Sequence, residues 1–277
     1  MANTNIFQNI LIWALPASGK SEIMAFLRGL TPGKRDGLHI GNLVEIDDYP
    51  RVASFFEIDD EREANGKPRL FTRTQTYDEG GILDPGTWDD LDQHLNFQYK
   101  KALAKNPNLH EISTVLLECA RGGPQNAEFP LPHGYQQTLR NLRPEILEHA
   151  AILYVKVTPE ESRKKNDARY DPKDPHGILA HRVPTSVMLN DYGCDDVEWM
   201  INQSSSNHFG YVQTPSKLLV PIVVFDNQDD KTSFVREKGL SEQARKEKSE
   251  LLYDALENAL HSLFQKYRFV SDTSHQY

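Results

Sequence analysis

Apolar and polar positions along this chain follow two different periods, and the switches between them mark out its elements. Ile10 to Leu15 is a short unbroken apolar run, which reads as a strand buried on both faces. Beyond Ser21 the apolar residues Ile23, Met24, Phe26, Leu27 and Leu30 recur at helical spacing, until Pro32 and Gly33 stop the pattern. A loop rich in glycine and basic residues is predicted from there to Gly41. Leu43 to Ile46 predicts a second strand, Thr114 to Cys119 a third, Ala151 to Val157 a fourth and Leu218 to Phe225 a fifth. Helices are predicted from Thr87, as cap, to about Lys105, and from Tyr135 to His149. Thr158-Pro159-Glu160-Glu161 is a capping box with proline at the first helical position. A last helix spans Ser241 to Tyr267, with Leu252, Leu256, Ala259, Leu260 and Leu263 on one face. Residues 52–86 and 176–216 give no clean period.

Five apolar runs separated by helical stretches predict an α/β fold, a five-stranded parallel sheet with helices on both faces, in a single domain over residues 1–277. Ligands of such sheets bind beyond the carboxyl ends of the strands, so the residues just after each strand are the ones to read. After the first comes Ala14-Leu15-Pro16-Ala17-Ser18-Gly19-Lys20-Ser21, which matches the phosphate-loop pattern G-x-x-x-x-G-K-[ST] except that Ala14 replaces the first glycine. A strand, a small-residue loop and a helix in this order place backbone N–H groups of Ala17 to Ser21 round a triphosphate at the positive end of the helix dipole. Lys20 then reaches the β- and γ-phosphates, and the Ser21 hydroxyl coordinates Mg²⁺. Gly19 is expected where a Cβ would crowd the passing phosphate.

The second strand delivers Asp47, Asp48 and Arg51; Asp47 lies 27 residues after Lys20, room for a helix and a return strand. One carboxylate of the Asp47/Asp48 pair is a candidate base for an attacking hydroxyl, Asp47 being nearer the strand end, although Asp-Asp-x-Pro also suits a plain turn. The third strand delivers Glu118, a candidate second metal ligand beside Ser21, and Arg121, a candidate bidentate clamp for substrate. After the fourth strand come Arg163, Lys164 and Arg169, either a solvated helix face or a cationic lid over phosphates. Arg163 and Arg169 are six apart and diverge on an unbroken helix, so both reach one nucleotide only if the helix ends between them. Lys67, Arg69 and Arg73 form a basic loop that is either solvated or receives an anionic acceptor.

Charge narrows the classes. Lys and Arg total 31 against 40 Asp and Glu, a net charge of −9, which argues against general nucleic-acid or anionic-membrane binding. The two cysteines, Cys119 and Cys194, lie far apart without metal-ligand spacing, as expected of reduced thiols. Met1 to Gln8 has no basic residue or long apolar region, and no run is long enough to span a bilayer, so a cytoplasmic protein is expected. A guanine-specific switch would need Asn-Lys-x-Asp after a late strand, where Phe225-Asp226-Asn227-Gln228-Asp229 stands instead. A motor ATPase would want a strand ending in paired acids, and the third strand ends in Glu118 alone.

Together, residues 14–21, Glu45-Ile46-Asp47-Asp48-Tyr49-Pro50-Arg51, Leu116-Leu117-Glu118-Cys119-Ala120-Arg121 and the run from Glu161 to Arg169 resemble P-loop kinases, nearest the nucleoside, nucleotide and related small-molecule kinases. The stretch 47–51 also resembles its counterpart in zeta-toxin-like and antibiotic kinases. The resemblance implies a kinase-type P-loop NTPase sandwich of three layers, with ATP as donor, Mg²⁺, and a small-molecule phosphate acceptor. It further implies an acid after the second strand acting as base, catalytic roles for Lys20 and Arg163, and Arg163 and Arg169 on the nucleotide within a lid at 158–184. The loop residues Ala14, Pro16, Ala17, Ser18, Gly19, Lys20 and Ser21 would bind the nucleotide. Asp48, Arg51, Arg73 and Arg121 would meet the acceptor, with 52–86 as a substrate-binding insertion. Deoxynucleoside kinases place an arginine directly after the acid, whereas here Arg121 follows Glu118 at a distance.

Overall fold

The structure, a computed structural model, describes residues 5–74, 76, 78–169, 182–204 and 210–274, the last four as backbone alone. Its strands are β1 (Asn9–Trp13), β2 (Asn42–Asp47), β3 (Ser113–Cys119), β4 (Ala150–Lys156), β5 (Tyr211–Gln213) and β6 (Leu219–Asp226). They form a six-stranded sheet in the order β2-β3-β1-β4-β6-β5, parallel throughout except for β5 on the edge of β6. The five apolar runs are therefore strands, and the sixth strand is a correction. Tyr211-Val212-Gln213 is too short to show a period, and it pairs only because β6 leaves an edge for it.

Side chains of β1 alternate between two cores, which is why the run is apolar at every position. Ile10 and Ile12 pack with Ile23, Met24 and Leu27 of helix α1 (Lys20–Gly29) and with Leu252, Leu256, Leu260 and Leu263 of helix α10 (Glu242–Ser274). Leu11 and Trp13 face the other way, onto Leu95 and Tyr99 of α4 (Gly86–Lys105), Leu139 of α5 (Tyr135–Asn141) and Ile146 of α6 (Pro144–Leu147). The apolar stripe predicted on the last helix is thus its buried face.

Three expectations change. The helix predicted from Tyr135 to His149 is two short helices, because Pro144 holds Leu142 and Arg143 extended at ψ 141° and 145°. The loop predicted after Pro32 contains α2 (Pro32–Gly37), since proline at a first helical position starts a helix as readily as it stops one. Residues 52–86 contain most of α3 (Tyr49–Ala64), which buries only Phe55 and Asp59 and so shows no apolar stripe. The remaining helices are α7 (Pro159–Ala168), α8 (Thr185–Asn190) and α9 (Val197–Gln203). Among the described residues no helix is long and apolar enough to cross a membrane.

Candidate functional site

Register brings the predicted chemistry to one edge. Asp47 sits opposite Glu118 across β2 and β3, and Trp13 opposite Cys119 and Tyr154, so the carboxyl ends of four strands lie level. The loop of residues 14–19 leaves the central strand and turns into α1 there. Its start is pinned by Tyr135, whose ring stacks on Trp13 at 4.4 Å and whose hydroxyl accepts from Ala14 N at 2.9 Å. Its end is held by Asn227, just after β6, whose Nδ2 donates to Ser18 O at 2.7 Å and Thr232 Oγ1 at 2.9 Å. Ala14 is fully buried and not in the left-handed region, so its methyl is tolerated there.

Gly19 caps α1 at φ 108°, and a Cβ on it would stand 2.5 Å from Thr232 Oγ1 and 2.6 Å from Asn227 Nδ2. The glycine is thus demanded by its backbone conformation and by the residues behind the loop, a more local reason than the one the sequence offers. Lys20 is 7% exposed and folds back along the loop, donating to Ala14 O at 2.9 Å and Leu15 O at 3.3 Å. Burial lowers its pKa, opposed by Glu118, Cys119 and Asp48.

Three carboxylates face this lysine. Asp47 accepts from Tyr49 N at 2.9 Å; burial and then Asp48 push it up to about 6. Glu118 accepts from the Ser21 hydroxyl at 3.3 Å, and burial pushes it up to about 7 against the pull of Lys20. Asp48 is spent differently: it takes Arg121 Nη1 at 2.6 Å, while Arg121 Nη2 reaches Asp92 of α4 at 2.7 Å. Burial pulls the Arg121 guanidinium down, but the two carboxylates outweigh it and hold it well above its ordinary value. Arg121 is therefore a buried strut between β2, β3 and α4, its terminal nitrogens paired with Asp48 and Asp92 while it lines the cavity described below.

Ser21 and Glu118 offer a hydroxyl and a carboxylate oxygen side by side, hard donors that fit Mg²⁺. Among the described residues no group of three His, Cys, Asp or Glu side chains could hold a metal alone. A cation here would accordingly take its remaining oxygens from water and ligand, as Mg²⁺ prefers.

A cavity opens between this edge and the 49–91 segment. Pro16, Ala17, Gly19, Lys20, Ser21, Asp47, Asp48, Glu118, Arg121 and Arg169 line it, so most predicted site residues share one space. Arg163 does not line it. Helix α7 runs unbroken through both arginines' approach, so they diverge; Arg169, at its end, turns inward, while Arg163 pairs with Glu160 at 3.1 Å. Burial pulls Arg169 down to about 10. The helix itself is fixed to the loop: Ser162 Oγ donates to Pro16 O at 2.7 Å and Lys165 Nζ to Asn227 O at 3.0 Å. Of the expected lid, residues 170–181 lie outside the described residues.

Neither Arg51 nor Arg73 lines the cavity; Arg51 lies over the Phe55 ring at 5.2 Å. Arg69 is bound by Asp60, Glu63 and Thr72, so of the two readings of the basic loop the acceptor site falls away there. The sequence did not single out Trp88, Asp191, Tyr192 or Asp92, because they sit in a helix and loops with no motif. An acid buried on a helix, as Asp92 is, was the one available signal.

No protein-family profile and no curated protein matches the chain. Among solved structures it is similar to an unliganded sugar kinase from Janibacter sp. HTCC2649, at 14% identity and a TM-score of 0.36, over 92% of this chain and 97% of that one. It is also similar to the structure of APE1195, at 12% identity and a TM-score of 0.32, over 94% of this chain and 99% of that one.

Proposed function

We propose that this chain is an ATP-dependent phosphotransferase of the P-loop kinase type, a single domain that moves a γ-phosphate to a small-molecule alcohol. One observation carries the reading. A buried lysine is folded onto its own glycine-turned loop after the central strand, level with Asp47 and Glu118 on the neighbouring strands. A lysine bonded to loop carbonyls is a cation held ready for an anion that replaces them. The parallel order β2-β3-β1-β4-β6, with the loop at the middle strand, supports it as well.

In this reading the amides of residues 17–21 cradle the phosphates, Lys20 and Arg169 neutralise charge on the transferring group, and Asp47 accepts the acceptor's hydroxyl proton. Arg163 is left out of that set, being turned away on α7. Mg²⁺ at Ser21 and Glu118 would supply charge neutralisation at the phosphates and relieve the crowded carboxylates. Helix α3 and residues 81–91 wall the acceptor side.

ADP production against a panel of acceptors tests this. Lys20→Ala is expected to lower turnover by about a hundredfold or more, the range of a lost electrostatic contact in a dry site. Asp47→Asn is expected to bind ATP normally and to lose about 10²-fold or more in transfer. Unchanged turnover in Lys20→Ala would sink the reading.

A further inference from the structure

On the loop side of the cavity stands one buried acid to which phosphate transfer gives no task. Of the carboxylates lining that side, Asp48 is paired with Arg121, and Asp47 and Glu118 face Lys20. Glu22 has neither position. It lies in the first turn of α1, directly after Lys20 and Ser21, and is 5% exposed. A carboxylate there competes with phosphate for the positive end of the helix dipole, and its charge repels the ligand that the neighbouring amides would hold.

The partner of Glu22 comes from the far end of the chain. Arg236 Nη1 donates to Glu22 Oε1, an ion pair across 214 residues whose side chains are 18% and 6% exposed. Arg236 follows the turn Ser233–Val235 after β6, and that turn is fixed on several sides. Phe234 is buried in the core beneath α1 and α10, and Ser233 N donates to Asp230 Oδ1 at 3.2 Å. Arg245 of α10 donates to Phe234 O at 3.2 Å and to Glu237 O at 2.7 Å, gripping the chain on either side of Arg236. Glu22 lines the cavity and Arg236 does not. The arginine is thus placed to neutralise the acid rather than to hold a ligand itself.

Arg169 makes this pairing matter. It lines the same cavity, and of the charges around it Glu22 supports its cation most, while Arg236 opposes it. One acid therefore lies within reach of two arginines. With Arg236 in place Glu22 has a counterion of its own; without it, Arg169 is the cation on which the acid would draw.

We propose that Arg236 is a positioning residue of the phosphate site: it neutralises Glu22, so that the acid neither repels a triphosphate nor takes Arg169 from it. The inference rests on the phosphotransferase reading and adds the residue that lets a first-turn acid coexist with a bound phosphate chain. Its consequence is conditional. Arg236 matters to ATP only while Glu22 carries a charge.

Calorimetric titration of the full chain with ATP and Mg²⁺ tests this, with a melting curve on each variant to show that it is folded at the assay temperature. Arg236→Met is expected to weaken ATP binding about tenfold or more. Arg236→Lys is expected to keep most of the affinity, because a single nitrogen makes the pair. In a Glu22→Gln background Arg236→Met is expected to change ATP affinity by less than about threefold. That double variant strands no acid, so the comparison within the background stands even if Arg236→Met alone does not fold. A folded Arg236→Met that binds ATP as the parent does would overturn the proposal. So would an Arg236→Lys as weak as Arg236→Met, or a loss of about tenfold in the Glu22→Gln background, which would mark a strut or a direct phosphate contact. If the parent binds ATP and any of these results is found, only the role of Arg236 falls. If the parent does not bind ATP, the phosphotransferase reading falls with it.

Discussion

Replacing Arg121 by methionine tests the account of the strand-end carboxylates most directly. The side chain is 2% exposed, and it separates Asp48 and Asp92, themselves 8% and 3% exposed, by bonds of 2.6 and 2.7 Å. Methionine fills much of the space and removes the charge, so two buried carboxylates lose their shared counterion. Breaking a buried pair costs about 3–5 kcal/mol, because what remains is an uncompensated buried charge. Asp92 keeps Thr138 Oγ1 at 3.1 Å and Asn141 Nδ2 at 3.0 Å, which places the expected loss at the lower end, about 3 kcal/mol near neutral pH. The sign of the pH effect follows from the same argument. Burial already holds Asp48 above its ordinary value and Arg121 pulls it back, so in the variant the penalty is full where Asp48 is ionised and fades as it takes up a proton. Urea unfolding at pH 5 and pH 7.5 is the assay: the deficit against the parent is expected to be smaller at the lower pH. Adding Asp92→Asn to Arg121→Met removes one of the stranded charges and is expected to recover about 1 kcal/mol or more. A loss under about 1 kcal/mol, or an equal loss at both pH values, would refute the reasoning.

Gly19→Ala is expected to cost about 1–3 kcal/mol from its left-handed backbone and the approach to Thr232 and Asn227, read as a lower melting temperature, and to weaken ATP binding by calorimetry. Asp59, buried in α3, accepts from Leu70 N, Phe71 N and Thr72 N at 2.7–2.8 Å and from Thr72 Oγ1 at 3.0 Å, which ties the 70–72 turn to the helix. Despite its burial, those donors hold its pKa below the ordinary value, so its contribution is full above that value and is lost as pH falls through the depressed one. Asp59→Asn should therefore lose about 2 kcal/mol at pH 7 in urea unfolding, and the gap to the parent should narrow in acid. Tyr135→Phe leaves Ala14 N–H without its acceptor and is expected to cost about 1–2 kcal/mol with a weaker ATP affinity, since the loop start loses its pin.

Much of the fold was legible because parallel strands buried on two faces are apolar at every position. Ile10 to Trp13, Val115 to Leu117 and Ala151 to Val155 stand out without any alignment. The loop was legible for a different reason: Gly19, Lys20 and Ser21 are consecutive, so spacing alone carries their chemistry. Helix α3 was not legible, since a helix lying on the surface with Phe55 and Asp59 inward leaves no periodic stripe. Strand β5 was hidden by its length, and the break at Pro144 was written in the sequence but outweighed by the surrounding helical period.

Within the site, the division is sharper. Strand ends and their acids follow from the apolar pattern, so Asp47, Asp48 and Glu118 could be placed at one edge from the chain alone. What each of them does could not. Asp48 and Arg121 are 73 residues apart, and nothing local says that the arginine will be shared with Asp92. Nor does spacing decide that α7 continues through Asn166, turning Arg169 into the cavity and Arg163 out of it. Trp88, Asp191 and Tyr192 become neighbours only when α4 and the segment after α8 fold against each other. Periodicity records which face of an element is buried. Which charges meet inside, and which remain open to a ligand, depends on long-range packing that carries no local signature.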